Sequence, residues 1–71
     1  KMNVSYQPLW KILEDKQMKK KDLIEIANIS ENCVANMGNN KYVSMANISR
    51  ICEALECTPN DVFQFCASDK R

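Results

Sequence analysis

The chain has 71 residues, 45% of them hydrophobic and 27% charged, with a formal net charge of +1; this suits one domain of roughly 11 Å radius of gyration and excludes a disordered chain. No apolar run approaches the ~18 residues needed to cross a bilayer, and the amino end lacks a signal-peptide core, so a cytoplasmic protein with no membrane partner is expected and Lys1, ahead of Met2, is set aside. Cys33, Cys52, Cys57 and Cys66 include no Cys-x-x-Cys pair and the chain has no His, which argues against zinc and against a disulfide-stapled secreted domain. One Gly and two Pro leave helices few interruptions, and an all-α domain over residues 1–71 is the expectation.

The segment Asn3-Val4-Ser5 is apolar enough to extend along Tyr42-Val43. A first helix is predicted over 8–16, with Pro8 at its first position and Leu9, Ile12 and Leu13 inward. Trp10 sits around from that stripe, where it covers the domain edge or meets another subunit. A second helix is predicted over 20–27, where Leu23 and Ala27 share a face with Ile26 beside them, and the small Ala lets another helix approach. Lys19, Lys20 and Lys21 gather at its start, against the helix macrodipole, an arrangement that suits a phosphate partner.

Asn28 follows directly and tolerates the left-handed conformation that ends a helix. Ile29 is placed to plug the gap between two helices, and Ser30 to cap a third helix over 31–37, with Gly38 supplying its stop. At 100° per residue Val34 and Met37 face the core, whereas Asn32, Ala35 and Asn36 lie opposite, flanked by Glu31 and Cys33. A fourth helix over 45–56 follows the cap at Ser44 and carries Ile48, Ile51, Cys52 and Leu55 at helical spacing. A fifth is predicted over 59–65 from Thr58-Pro59-Asn60-Asp61, a cap with Pro at the first position and an acid at the third. On it Val62 and Phe65 share a side while Phe63 turns away, a candidate dimer contact; residues 67–71 are expected to fray.

The outward face of the third helix carries chemistry suited to base edges. Asn pairs bidentately with adenine N6 and N7, Glu accepts from cytosine N4, and small Ala35 permits close approach. Taken alone, Asn32 and Asn36 read as well as solvated polar residues of an amphipathic helix; the tight turn beside them favours the base-reading alternative, because that turn holds one helix against another. The net charge of +1 opposes DNA binding, which draws on neutralised phosphates. Distribution answers in part: Lys19, Lys20 and Lys21 cluster before the turn, and Lys41 lies in the loop after the third helix among the neutral donors Asn39, Asn40, Tyr42 and Ser44.

Leu23, Ala27, Ile29, Ser30 and Val34 fall on the spacing of Cro/C1-type helix-turn-helix regulators, the Xre family, which the chain resembles from about Tyr6 to Phe65. It is similar in particular to a small bacterial subgroup that opens with Tyr-x-Pro-Leu-Trp, here Tyr6 to Trp10, and closes with Cys-x-x-x-Asp-Val, here Cys57 to Val62. The resemblance implies a five-helix, lambda-repressor-like domain that binds double-stranded DNA and regulates transcription. It further implies that Glu31, Asn32 and Asn36 reach base edges, that Lys20 holds a phosphate, and that paired subunits present their reading helices about 34 Å apart on a palindromic site. The family usually has Gly where this chain has Asn28.

Two other classes remain. A protein-interaction adaptor or antitoxin-like module would use Phe63, Phe65 and Trp10 as an apolar patch. An enzyme finds little support without His, a Gly-rich phosphate loop or an evident carboxylate pair; Glu14, Asp15 and Glu25 read as solvated helix charges. No cofactor, metal or small-molecule substrate is expected.

Overall fold

Four helices form where apolar residues recur at helical spacing, and a short sheet ties the first and last described segments together. The computed structural model describes residues 2–67. In chain order these form strand β1 (Met2–Ser5), helices α1 (Gln7–Asp15), α2 (Lys20–Ala27), α3 (Glu31–Gly38) and α4 (Met45–Leu55), a single 3₁₀ turn (Pro59–Asp61) and strand β2 (Gln64–Ala67). The helix bounds lie within a residue or two of the sequence expectation for the first four helices, and no helix is long and apolar enough to cross a membrane among the described residues.

Each helix contributes one fully buried side chain to a single core, Leu9 from α1, Leu23 from α2, Met37 from α3 and Ile51 from α4, joined by Tyr6 before α1 and Val62 after the 3₁₀ turn. Burying a side chain of that size stabilises by roughly 1.5–3 kcal/mol, which is what sets the helices against one another. On α2 the inward face holds Leu23 and Ala27 with Ile24 half-buried beside them, while Ile26 points into solvent. On α4, Ile48, Ile51 and Leu55 are buried and Cys52 is half-buried.

The expected fifth helix over 59–65 does not form. The Asp61 carboxylate accepts from the Thr58 backbone N–H at 3.3 Å, and the amides of Val62 and Phe63 both close on the Pro59 carbonyl, so the turn starts as the sequence suggests. A helix of this length is marginal, and beyond the turn the backbone finds better partners on β1. The strands pair antiparallel with Met2 opposite Ala67, Asn3 opposite Cys66, Val4 opposite Phe65 and Ser5 opposite Gln64. The fold is therefore a mostly helical, four-helix arrangement with a two-stranded sheet, instead of an all-α one.

That pairing overturns two further expectations. Asn3-Val4-Ser5 lies along β2 and not along Tyr42-Val43. Val62 is buried whereas Phe65 is 55% exposed, so the two do not share a side. Phe63 is half-buried against the core, with Phe65 packed edge-on to it at 5.7 Å between ring centroids. The tail expectation divides: Ala67 is paired in β2, and residues 68–71 lie outside the described residues.

Candidate nucleic-acid interface

The turn between α2 and α3 is built by three residues with separate tasks. Asn28 adopts the left-handed conformation, φ 57° and ψ 47°, one that Asn accepts more readily than most side chains. The amides of Asn28 and Ile29 both close on the Ile24 carbonyl, and the Ile29 side chain is buried between the helices. Ser30 Oγ then accepts the Cys33 N–H at 3.0 Å, satisfying one of the free amides of the first turn of α3.

Held this way, α3 turns Val34 and Met37 inward and leaves Glu31, Asn32 and Ala35 exposed and Asn36 half-buried. Cys33 does not flank the outward face; it is 5% exposed. Cys33 lies one turn before the buried Met37, at the floor of a flank where Ser44 and Asn47 at the start of α4 come close and Asn47 stands beside the thiol. Burial pushes the Cys33 thiol above its ordinary value, against a smaller opposing hydrogen bond from Asn47. A thiol that is both covered and held protonated is poorly placed to react with an oxidant.

Asn32 and Asn36 line a groove of about 280 Å³ between α3 and the segment entering α4, with Ser30, Tyr42, Ser44 and Asn47 among its walls. Glu31 is not in that groove. It lines a separate hollow with Lys21, Ile24 and Glu25 on the α2 side. Asn47 was not singled out from the sequence, although its position four before Ile51 places a polar residue on the inward side of α4, which was a usable signal.

Two donor-rich segments adjoin α3. At the start of α2, Lys19, Lys20 and Lys21 are exposed. The Lys19 N–H is accepted by the Asp22 carboxylate at 2.9 Å, an acidic group in the first turn that offsets the unfavourable lysines. Lys20 Nζ lies 4.5 Å from the centroid of the half-buried Trp10 ring, a cation–π contact, and so close to Gly38 that a Cβ there would stand 3.7 Å from it. The ammonium is thus seated between the ring and the C-terminal turn of α3, where unpaired carbonyls favour a cation.

At the other side, the chain leaves α3 differently from the expectation. Gly38 is the last helical residue and does not take the left-handed conformation; Asn40 does, at φ 57°, and the Lys41 N–H closes on the Asn36 carbonyl at 2.9 Å. Asn serves at this stop as it does at Asn28. Asn39, Asn40, Lys41 and Tyr42 follow as an exposed loop. Ser44 ends it, its Oγ accepting the Asn47 N–H at 3.2 Å to start α4.

The Cro/C1-type helix-turn-helix DNA-binding domain family matches residues 8–68 of the chain. No curated protein matches it. Among solved structures the chain is similar to the crystal structure of the transcriptional regulator VanUg, form II, with 40% sequence identity and a TM-score of 0.87 over 92% of this chain and 87% of that one. Together with the turn geometry and the open face of α3, these matches place the chain in the Cro/C1-type helix-turn-helix DNA-binding family.

Proposed function

We propose that the chain is a sequence-specific transcriptional regulator that acts by occupying DNA, without catalysis. In this reading α3 enters the major groove, Asn32 and Asn36 pair with base edges, and Glu31 reads at the helix start. Lys19, Lys20 and Lys21 at one side, and Asn39, Asn40, Lys41 and Tyr42 at the other, hold the phosphates that fix its register. The observation that carries the reading is the placement of two amide side chains one turn apart along an open groove beside α3, between two exposed donor segments.

The modest charge of +1 bears on affinity. A single subunit engaging about four phosphates has a slope of log K against log salt near −3.6, and two subunits on one site double it. In the dimeric form of the proposal, two copies meet through the end of the molecule that bears Phe63 and Phe65, and read a palindromic operator with half-sites about 34 Å apart.

Selection of bound sequences from a random duplex pool tests the proposal directly, because it returns both the preferred bases and the half-site spacing. Against a selected duplex, Asn32→Ala and Asn36→Ala should each lose about 1–3 kcal/mol of discrimination with the fold intact; unchanged selectivity in the double variant refutes the assigned face. The exposed apolar side chains of Met2 and Phe65 support a second reading, an adaptor that docks a protein through this end of the molecule. A salt titration separates the two: an adaptor shows no affinity for any duplex at low ionic strength.

A further inference from the structure

The loop that follows α3 is held by a residue thirty-five positions away. Tyr6, between β1 and α1, is 2% exposed, and its hydroxyl donates to the Lys41 carbonyl at 2.7 Å. Apart from the Asn47 contact to the Cys33 thiol, the other side-chain hydrogen bonds among the described residues join positions no more than four apart. From the Lys41 carbonyl to the Ser44 carbonyl the backbone runs in no helix or strand, and between them neither Tyr42 nor Val43 has a backbone partner among the described residues. Before Ser44 ties it to α4, the segment is anchored by the Tyr6 hydroxyl, which the Val43 backbone also meets, and by the half-buried Val43 side chain packed on the core.

This segment also forms one wall of the groove whose opposite wall carries Asn32 and Asn36. Displacing Lys41 and Tyr42 therefore changes the spacing between the loop and α3. We propose that Tyr6 is a positioning residue for the DNA contact: its hydroxyl fixes the loop at the distance from α3 at which Lys41 and Tyr42 meet the backbone while Asn32 and Asn36 meet the bases. The functional half of this proposal rests on the DNA-binding reading above, and the clamp itself rests on the hydrogen bond. A phenol suits the task because its ring fills the core while one polar atom reaches the carbonyl, which would otherwise be left without a partner at a partly buried site.

Tyr6→Phe keeps the ring and removes the donor. Binding to a duplex recovered from the random pool, measured at several salt concentrations well below the melting temperature, should weaken about fivefold, the equivalent of one hydrogen bond. The salt slope should fall by about 0.9 as one phosphate contact is lost, and the base preference should be retained. Hydrogen exchange at the Tyr42 and Val43 amides should quicken by a similar factor. A merely structural role for Tyr6 lowers the melting temperature without moving the slope. Val43→Ala, which loosens the other anchor, is the second variant should Tyr6→Phe not fold, and it too should lower the slope. Unchanged affinity and slope in whichever variant is folded overturns the proposal. If the wild-type chain binds no duplex, the DNA-binding reading fails and takes the functional half with it, while unchanged amide exchange in the variant overturns the clamp.

Discussion

The helix-turn-helix and the terminal sheet are held by opposite kinds of contact. Between Lys20 and Gly38 every cap and stop is satisfied by a neighbour no more than five residues away: Asn28 and Ile29 on Ile24, Cys33 on Ser30. The sheet joins Met2–Ser5 to Gln64–Ala67 across nearly the whole chain, and the side chains of β2 are all exposed. Local contacts of the first kind form without the entropy of closing a long loop, so the reading unit is self-sufficient, while the sheet depends on the helices having already brought its strands together. The helix-turn-helix is thus held by neighbours in the chain, whereas the loop after it and the sheet rest on contacts between residues distant in sequence.

The comparison can be broken most forcefully in the core of α2. Leu23→Ala should destabilise by about 2–5 kcal/mol in chemical denaturation, because a fully buried side chain leaves a cavity. A smaller effect is expected at the joint between α4 and the 3₁₀ turn, where burial, followed by the nearby Cys52, pushes the Cys57 thiol up to about 11. The folded state then keeps a proton that the unfolded chain releases near its ordinary value of 9.0, so stability falls as pH rises from about 9 to about 11. Cys57→Ala should flatten that decline in a pH series of melting temperatures.

Gly38→Ala carries the comparison to the end of α3. Gly38 is helical, not left-handed, and the nearest atom to an added Cβ is the Lys20 ammonium at 3.7 Å, an ordinary contact. The exchange should stabilise by about 0.5–1 kcal/mol; a loss of stability would show that this position needs glycine after all. The smallest effect belongs to the sheet. Phe65→Ala, at a residue 55% exposed, should cost less than about 1 kcal/mol in the same denaturation assay, and a loss equal to that of Leu23→Ala would erase the distinction between the two regions.

The same distinction decides what was legible in the sequence. Asn28, Ile29 and Ser30 do in the structure what their residue types dictate, because each acts on neighbours. The sheet was written in the chain as two period-two runs, Met2-Asn3-Val4-Ser5-Tyr6 and Phe63-Gln64-Phe65-Cys66-Ala67. Each is short, and the cap at Thr58 with Pro59 argued locally for a helix, so the strand signal was outweighed; nothing local names a partner sixty residues away. In the candidate interface, the exposure of Asn32 followed from the helical wheel, and so did the burial of Val34 and Met37. A wheel misplaces Cys33 because it treats α3 alone and ignores Ser44 and Asn47 at the start of α4 beside that flank. The separation of Glu31 from the asparagine groove and the Tyr6 clamp are likewise products of packing between elements.

The pairing of Met2 with Ala67 sets two positions at opposite ends of the chain about 5 Å apart, the usual Cα spacing across an antiparallel ladder. A short peptide bridge would therefore span them, and the chain could be reopened at Gln17, which sits at φ 57° in the connection between α1 and α2. Such a circular permutant keeps all four helices uncut, and a module appended to it would leave the protein from the α1–α2 connection instead of from beside the two-stranded sheet.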